Sequence, residues 1–275
     1  MIPRDPMPSD VVGRVLENQS LGGGYFLTTF EAPSIAGTCE PGQFVMAGST
    51  DPSELLLRRP FSVCLVGGSG GAAPTRVALL YRSVGRGTSF LSRLVPGDEA
   101  ALLGPLGRGF SAPRAGETPV VVAGGVGIAA FPFFIERLAA AGTPADLLYG
   151  GRSANDLPML DWLRERARSV TITTDDGSHG ARGLVTAPLE ARLAERGARR
   201  DRLYVCGPHP MMKAVAAIAA RAGAPCEVAL ETPMACGYGV CVGCVVEVHD
   251  FQGEYGRYRR VCVDGPVMDS AEIRW

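Results

Sequence analysis

VVVAGGVGIAAF, residues 120–131, runs an apolar β-rich stretch into a glycine turn and out into a second apolar segment. The spacing predicts a buried strand over Val120–Ala123, a turn on Gly124, Gly125 and Gly127, and a helix from Ile128 to Ala141. The alternation continues downstream. Asp146–Tyr149, Val170–Thr174 and Leu203–Cys206 read as strands, and Leu157–Arg168, Leu184–Arg196 and Pro210–Arg221 as helices. Strands alternating with helices predict parallel strands joined by crossover helices, a doubly wound α/β sheet. Gly125-x-Gly127-x-x-Ala130 also satisfies G-x-G-x-x-G/A, in which absent side chains let a diphosphate reach a helix N-terminus. Alone that match is weak, because closely packed turns produce it too. The acidic residue expected after the next strand is missing: LLYGG (147–151) leads into Arg152 and Ser153.

Upstream the texture differs. Val11–Leu16, Tyr25–Glu31, Gln43–Ala47, Phe61–Val66 and Thr75–Arg82 read as short strands, punctuated by Gly22–Gly24, Pro41-Gly42, Gly67–Gly71 and Pro96-Gly97. Such spacing predicts a small antiparallel barrel or sandwich, interrupted by a helical turn near Gly87–Leu94. SAPRAGETP (111–119) reads as a linker, and a cysteine-rich tail begins near Cys226. The expected division is 1–112, 117–224 and 225–275.

Composition bounds the function. The 275 residues suffice for about two domains by the usual prior, with 46% hydrophobic and 20% charged residues. Twenty-seven basic against 28 acidic residues give a net charge of −1, which supplies no field for nucleic acid or an anionic membrane surface. The longest nearly apolar run, Val120–Ile135, holds three glycines and a proline and falls short of the roughly 20 residues of a membrane span. MIPRDPMPSD at the N-terminus lacks the apolar stretch of a secretion signal. A cytoplasmic location is the expectation.

The cysteines are distributed unevenly. Cys39, Cys64, Cys206 and Cys226 are scattered, and the first two read as small core residues. The others follow Cys236-x4-Cys241-x2-Cys244-x17-Cys262, the spacing of plant-type two-iron clusters. Gly237, Gly239 and Gly243 let the backbone curl around such a cluster and aim amides at its sulfurs. A structural zinc also takes four thiolates, but zinc ribbons usually pair two C-x2-C knuckles and only one pair here has that spacing. His249 is expected at the surface.

Further signals point to nucleotides. YVCGPHPM (204–211) sets Cys206, Gly207 and Pro208 after a buried strand, where small residues admit a flat ring. TTDDGSHGARG (173–183) has the form of a loop at the ligand-binding edge of such a sheet. RRPFS (58–62) joins a cation and a hydroxyl, suited to phosphate, with an aromatic suited to a flat ring. YRSVGRGTSFLS (81–92) offers Gly85, Gly87 and Thr88 before a helical turn.

Taken together, these motifs resemble the ferredoxin-reductase superfamily along essentially the whole chain. They resemble most closely the electron-transfer subunits of class B dihydroorotate dehydrogenases. The resemblance implies that Arg59, Pro60, Phe61, Ser62, Leu80, Tyr81, Arg82, Gly87 and Thr88 adjoin FAD, and that GPLGRGF (104–110) closes the barrel. It gives Gly124, Gly125, Gly127, Ile128, Cys206, Gly207 and Pro208 to NAD, and Cys236, Cys241, Cys244 and Cys262 to a [2Fe-2S] cluster. Ala130 stands where the family often has proline. The implied partner is an FMN-containing catalytic dihydroorotate dehydrogenase subunit, in a heterotetramer of two plus two, serving pyrimidine (UMP) biosynthesis. Related subunits linked to ferredoxin or sulfide commonly lack a cysteine at the first ligand position, so Cys236 favours the pyrimidine reading. A nucleotide-binding regulator with a zinc tail is the alternative of another class. Arg152 and Ser153 leave NAD against NADP open.

Overall fold

The computed structural model describes residues 7–68, 73–196, 200–249 and 253–275. MIPRDP, part of the Gly67–Gly71 turn, 197–199 of the arginine-rich run and 250–252 lie outside the described residues.

Six antiparallel strands close a barrel: β1 (Ser9–Gly22), β2 (Tyr25–Glu31), β3 (Phe44–Gly48), β4 (Arg59–Gly67), β5 (Arg76–Arg82) and β6 (Glu99–Leu106), in the order β1-β2-β5-β4-β3-β6. Alternate residues turn inward, so Phe30, Val45, Phe61, Val63, Leu79, Tyr81 and Leu102 fill one core. Short helices α1 (Pro33–Ala36) and α2 (Arg86–Leu91) interrupt the strands. β6 has no counterpart among the expected strands, because EAALLGPL carries no β-branched residue. Its place is fixed by partners distant in sequence: it pairs with β1 on one side and β3 on the other. Gly104 permits that closure, since a Cβ there would stand 2.6 Å from Val45 Cγ1.

The expected linker is anchored. The Arg202 guanidinium donates to Ser111 Oγ at 2.6 Å, and the Tyr204 hydroxyl donates to the Ser111 carbonyl at 2.9 Å. Beyond it come β7 (Thr118–Gly124), α3 (Pro132–Ala140), β8 (Asp146–Gly151), α4 (Leu160–Arg166), β9 (Ser169–Thr174), β10 (Ala181–Arg182), α5 (Thr186–Arg196), β11 (Asp201–Cys206), α6 (His209–Ala222) and β12 (Cys226–Ala229). The expected helix from Ile128 to Ala141 is divided: Gly125–Ala130 is a 3-10 turn and α3 starts at Pro132. Proline has no amide to continue a preceding turn, so the helix begins anew there.

The tail then forms the hairpin β13 (Val245–Glu247) and β14 (Tyr258–Arg260), the short helix α7 (Val261–Asp264) and β15 (Val267–Asp269). The second sheet has the order β10-β9-β8-β7-β11-β12-β15, parallel except where β15 meets β12. The tail is therefore not a separate layer: its first and last strands extend the nucleotide sheet. Val228 on β12 is fully buried, which gives that strand a core to join. Strand order reverses between β7 and β11, and ligands of such sheets sit at that switch point. At the opposite end, Arg192 of α5 bridges Asp146 at 2.7 Å and Asp201 at 2.6 Å, fixing the helix beneath β8 and β11. No helix among the described residues is long and apolar enough to cross a membrane.

Candidate functional site

A cleft of about 600 Å³ opens at the switch point, walled by the ends of β7, β8, β9 and β11 and, from the barrel, by Tyr25 and Arg82. Gly124, Gly125, Gly127, Gly207 and Pro208 all line it. Two turns meet there closely. A Cβ on Gly127 would stand 2.6 Å from the carbonyl of Cys206 and 2.7 Å from Gly207 Cα, and one on Gly207 would stand 3.0 Å from the Gly124 nitrogen. Gly125 is required for another reason, its positive φ of 52°. Ile128 and Cys206 are buried and support the turns from behind. Burial pushes the Cys206 thiol well above its ordinary range, which leaves it a neutral strand-end group. On the wall of the cleft, Thr173 Oγ1 is buried without a hydrogen-bond partner among the described residues. A glycine-lined floor beside an unsatisfied hydroxyl fits the diphosphate and ribose of a dinucleotide.

The mouth of the cleft holds a cluster that sequence reasoning missed. Asp156, buried, accepts from the Tyr25 hydroxyl at 3.2 Å, from Arg82 Nη1 at 3.1 Å and from Arg152 Nη2 at 3.3 Å. Burial, then the Asp156 charge, raises the Tyr25 phenol above its ordinary value and keeps it a donor. Gly23, at the tip of the β1–β2 hairpin, packs so closely that a Cβ would lie 2.6 Å from the Asn155 carbonyl. Asp156 supplies a carboxylate near the end of β8, where the strand itself offered none. Its one trace in the sequence is its place four residues after Arg152, which it bridges. Tyr25 left no such signal, since it arrives from a hairpin 131 residues away from its partner.

The proposed flavin residues divide between two faces of the barrel wall. Phe61 and Tyr81 turn inward and meet edge to face at 5.5 Å, with the Tyr81 hydroxyl bonded to Thr28 Oγ1 at 2.9 Å. Their rings therefore brace the wall from inside. Leu80 faces the other domain, in one core with Cys64 and Ile128. Strand alternation turns Pro60, Ser62 and Arg82 the same way as Leu80. Gly87 brings α2 down onto β4, where a Cβ would stand 2.9 Å from Arg59 Cγ. Thr88 Oγ1 closes the α2 turn by accepting from the Val84 and Gly85 amides at 2.9 and 3.1 Å. Arg59 and the Gly85–Thr88 turn thus sit together beside an outward strand face, an arrangement suited to a diphosphate and a flat ring.

The four tail cysteines come together in pairs. The Cys241 amide donates to Cys236 Sγ at 3.5 Å, and the Cys262 amide donates to Cys244 Sγ at 3.4 Å. Burial pushes the Cys236 thiol up, but the amides of Cys241, Tyr238 and Val240 outweigh it and bring the group down to about 6. Cys262, more deeply set and beside Cys244, is pushed up to about 12. Two pairs of thiols, with amides aimed at sulfur, fit a two-iron cluster, in which each iron takes two protein ligands. The loop is shaped for it: Gly237 and Gly239 have φ of 81° and 92°, and even Val242, β-branched, is held at 53°. Cys39, Cys64 and Cys226 are buried thiols outside this group, and His249 is exposed.

The cysteine loop is seated on the barrel wall that carries the candidate flavin residues. A Cβ on Gly237 would lie 2.4 Å from Met46 Cγ, and Met46 of β3 pairs with Pro60 of β4.

Comparison with known proteins agrees with this geometry. The model for the iron-sulfur cluster binding domain of dihydroorotate dehydrogenase B matches residues 231–274, and that for the oxidoreductase NAD-binding domain matches 121–217. The chain is 36% identical to the dihydroorotate dehydrogenase B (NAD(+)) electron transfer subunit of Desulforamulus reducens, over 95% of this chain and 97% of that protein. It is 32% identical to an Aquifex aeolicus homolog of that subunit, over 97% and 99%. A solved NADH-dependent reduced ferredoxin-NADP oxidoreductase, studied for flavin-based electron bifurcation, superposes with a TM-score of 0.79 at 29% identity, covering 97% of this chain and 91% of that one. A ferredoxin reductase of carbazole 1,9a-dioxygenase shares the fold at a TM-score of 0.66 and 21% identity, over 79% and 67%. With barrel, switch-point cleft and paired cysteines all in place, the chain belongs to the family of dihydroorotate dehydrogenase B electron transfer subunits.

Proposed function

We propose that this chain conveys electrons from a catalytic dihydroorotate dehydrogenase subunit, by way of a [2Fe-2S] cluster and FAD, to NAD. A cluster exchanges electrons singly, a nicotinamide takes a hydride, and a flavin can do either. Cys236, Cys241, Cys244 and Cys262 hold the cluster in this reading. Arg59, Gly87 and Thr88 take the flavin diphosphate, with Pro60, Ser62, Leu80 and Arg82 along the ring and Phe61 and Tyr81 bracing from inside. Gly124, Gly125, Gly127, Ile128, Cys206, Gly207 and Pro208 take the dinucleotide. No acid–base residue is needed; the protein's part is to position the redox groups.

The single observation that carries the reading is the position of one barrel wall. The Gly237 loop rests on it through Met46, and the nucleotide cleft opens against the same barrel at Tyr25 and Arg82. In this reading the cluster loop and the nucleotide cleft both border the barrel that takes the flavin. We assign 1–112 to FAD, 117–224 to NAD and 225–275 to the cluster, with the last unit sharing the NAD sheet. The FMN-containing catalytic subunit joins it as a heterotetramer of two plus two. Four cluster ligands together with the buried thiols Cys39, Cys64, Cys206 and Cys226 suit a cytoplasmic, reducing setting.

The test is anaerobic titration of the coloured holoprotein with NADH, followed by reconstitution with the catalytic subunit. Flavin and cluster absorbance are expected to bleach, and NAD reduction by the pair is expected only with dihydroorotate present. NAD reduction independent of dihydroorotate would sink the proposal. The 0.79 superposition favours a second reading, a subunit serving ferredoxin; electron delivery to ferredoxin in place of dihydroorotate turnover would select it.

A further inference from the structure

Arg260 is not accounted for by any site described so far. It ends β14 opposite Val245, the residue after Cys244, and stands two positions before Cys262. Its Nη1 donates to the Gly239 carbonyl at 3.1 Å, inside the loop between Cys236 and Cys241. One side chain thus touches or adjoins every segment that carries a cluster cysteine. Gly239 makes room for it: a Cβ there would lie 3.3 Å from Arg260 Nη1.

The charge on this guanidinium is set apart from those of its neighbours in the tail. Arg257 and Arg274 bridge Glu247 at 3.2 and 2.8 Å, and Arg259 bridges Glu272 at 2.8 Å. Among the described residues the Arg260 guanidinium meets no carboxylate; Asp264 accepts from its backbone amide instead, at 2.9 Å. The Tyr255 ring lies 4.9 Å from Arg260 Cζ and screens one face of the cation. Among the described residues Arg260 Nε is buried with no hydrogen-bond partner. A buried donor without a partner is costly unless a group nearby answers it.

We infer that Arg260 is a positioning residue that raises the reduction potential of the cluster held by the four tail cysteines. The inference rests on the cluster assignment made above. Reduction adds one negative charge to an already anionic centre, and a fixed cation stabilises the reduced form more than the oxidised form. Partial burial limits the screening of that effect by solvent. The bond to Gly239 keeps the guanidinium in register with the loop whose amides serve the cysteine sulfurs.

The experiment is a potentiometric titration of the anaerobic holoprotein, with the reduced cluster followed by paramagnetic resonance and the flavin by absorbance. Arg260→Gln is expected to move the cluster midpoint to more negative potential, with the flavin midpoint unmoved. Arg260→Lys, which keeps the charge, is expected to retain most of the wild-type value. An Arg260→Gln protein with cluster bound and its midpoint unchanged would overturn the inference, as would equal shifts in both variants. Should Arg260→Gln lose the cluster, Arg260→Lys decides: a wild-type midpoint supports the charge, and a negative shift or loss of the cluster there overturns it. Absence of any paramagnetic signal from the reduced wild-type protein would instead defeat the cluster assignment itself.

Discussion

Replacing Gly127 by alanine separates close approach from backbone freedom as the reason for glycine in the nucleotide turn. The added Cβ would lie 2.6 Å from the Cys206 carbonyl carbon and oxygen and 2.7 Å from Gly207 Cα, about 1 Å inside ordinary contact distance. All three atoms are backbone at the end of a central strand, so no side chain can swing away. Overpacking of this kind costs about 1–3 kcal/mol. The strain is relieved most simply by parting the two turns that floor the cleft, which raises the Kd for NADH about 10–100-fold at ~1.4 kcal/mol per tenfold. Gly125→Ala is the control. Its φ is 52° but its nearest neighbour is Tyr25 Oη at 3.9 Å, so the change costs only the left-handed penalty of about 1–2 kcal/mol. The assay pairs a fluorescence titration with NADH and a thermal melt, with flavin and iron content as evidence that barrel and tail remain intact. An unchanged Kd and unchanged Tm in Gly127→Ala, or a larger binding loss in Gly125→Ala, would refute the close-contact argument.

Asp156→Asn leaves Arg82 and Arg152 without the carboxylate that joins barrel to sheet. It is expected to lower unfolding free energy by about 1–2 kcal/mol and to slow flavin reduction by NADH more than it weakens NADH binding, as stopped-flow kinetics would read. For Asp146, burial alone raises the carboxyl, but Arg168, Ser169 and Arg192 more than offset it and hold it at about 2 against an ordinary 3.8. The folded-state value is depressed, so its stabilisation is complete above the unfolded value and fades as pH falls from about 4 towards 2. Urea midpoints between pH 6 and 2.5 are expected to drop across that window, and Asp146→Asn is expected to flatten the drop. Val242→Gly removes a β-branched residue from φ of 53°, and relief of about 1 kcal/mol is expected in the stability of the cluster-free protein. Chemical denaturation of wild type and variant without iron measures it.

Motifs set by local chemistry are legible in the sequence itself. Four cysteines at fixed spacing, the Gly125–Gly127 turn and the RRPFS run each carry their reason within a dozen residues or so, apart from distant Cys262. The run from Val120 to Arg221 disclosed its parallel sheet because each strand and helix has its own hydrophobic period. β6 escaped notice because leucines and alanines take a strand only when β1 and β3 supply both edges. The kink at Pro132 was written in the chain, yet the apolar run on either side of it read as one helix.

What the amino-acid order settles unaided is therefore the local chemistry: which thiols, glycines and cations are available, and how far apart along the chain. Tertiary structure alone decides that Tyr25 and Arg82 reach Asp156, that Phe61 and Tyr81 face inward, and that the cysteine loop rests on Met46 beside Pro60. Those contacts join residues tens to more than a hundred positions apart, through barrel closure and domain docking. Their energy comes from burial shared by the whole fold, which no short window of sequence contains.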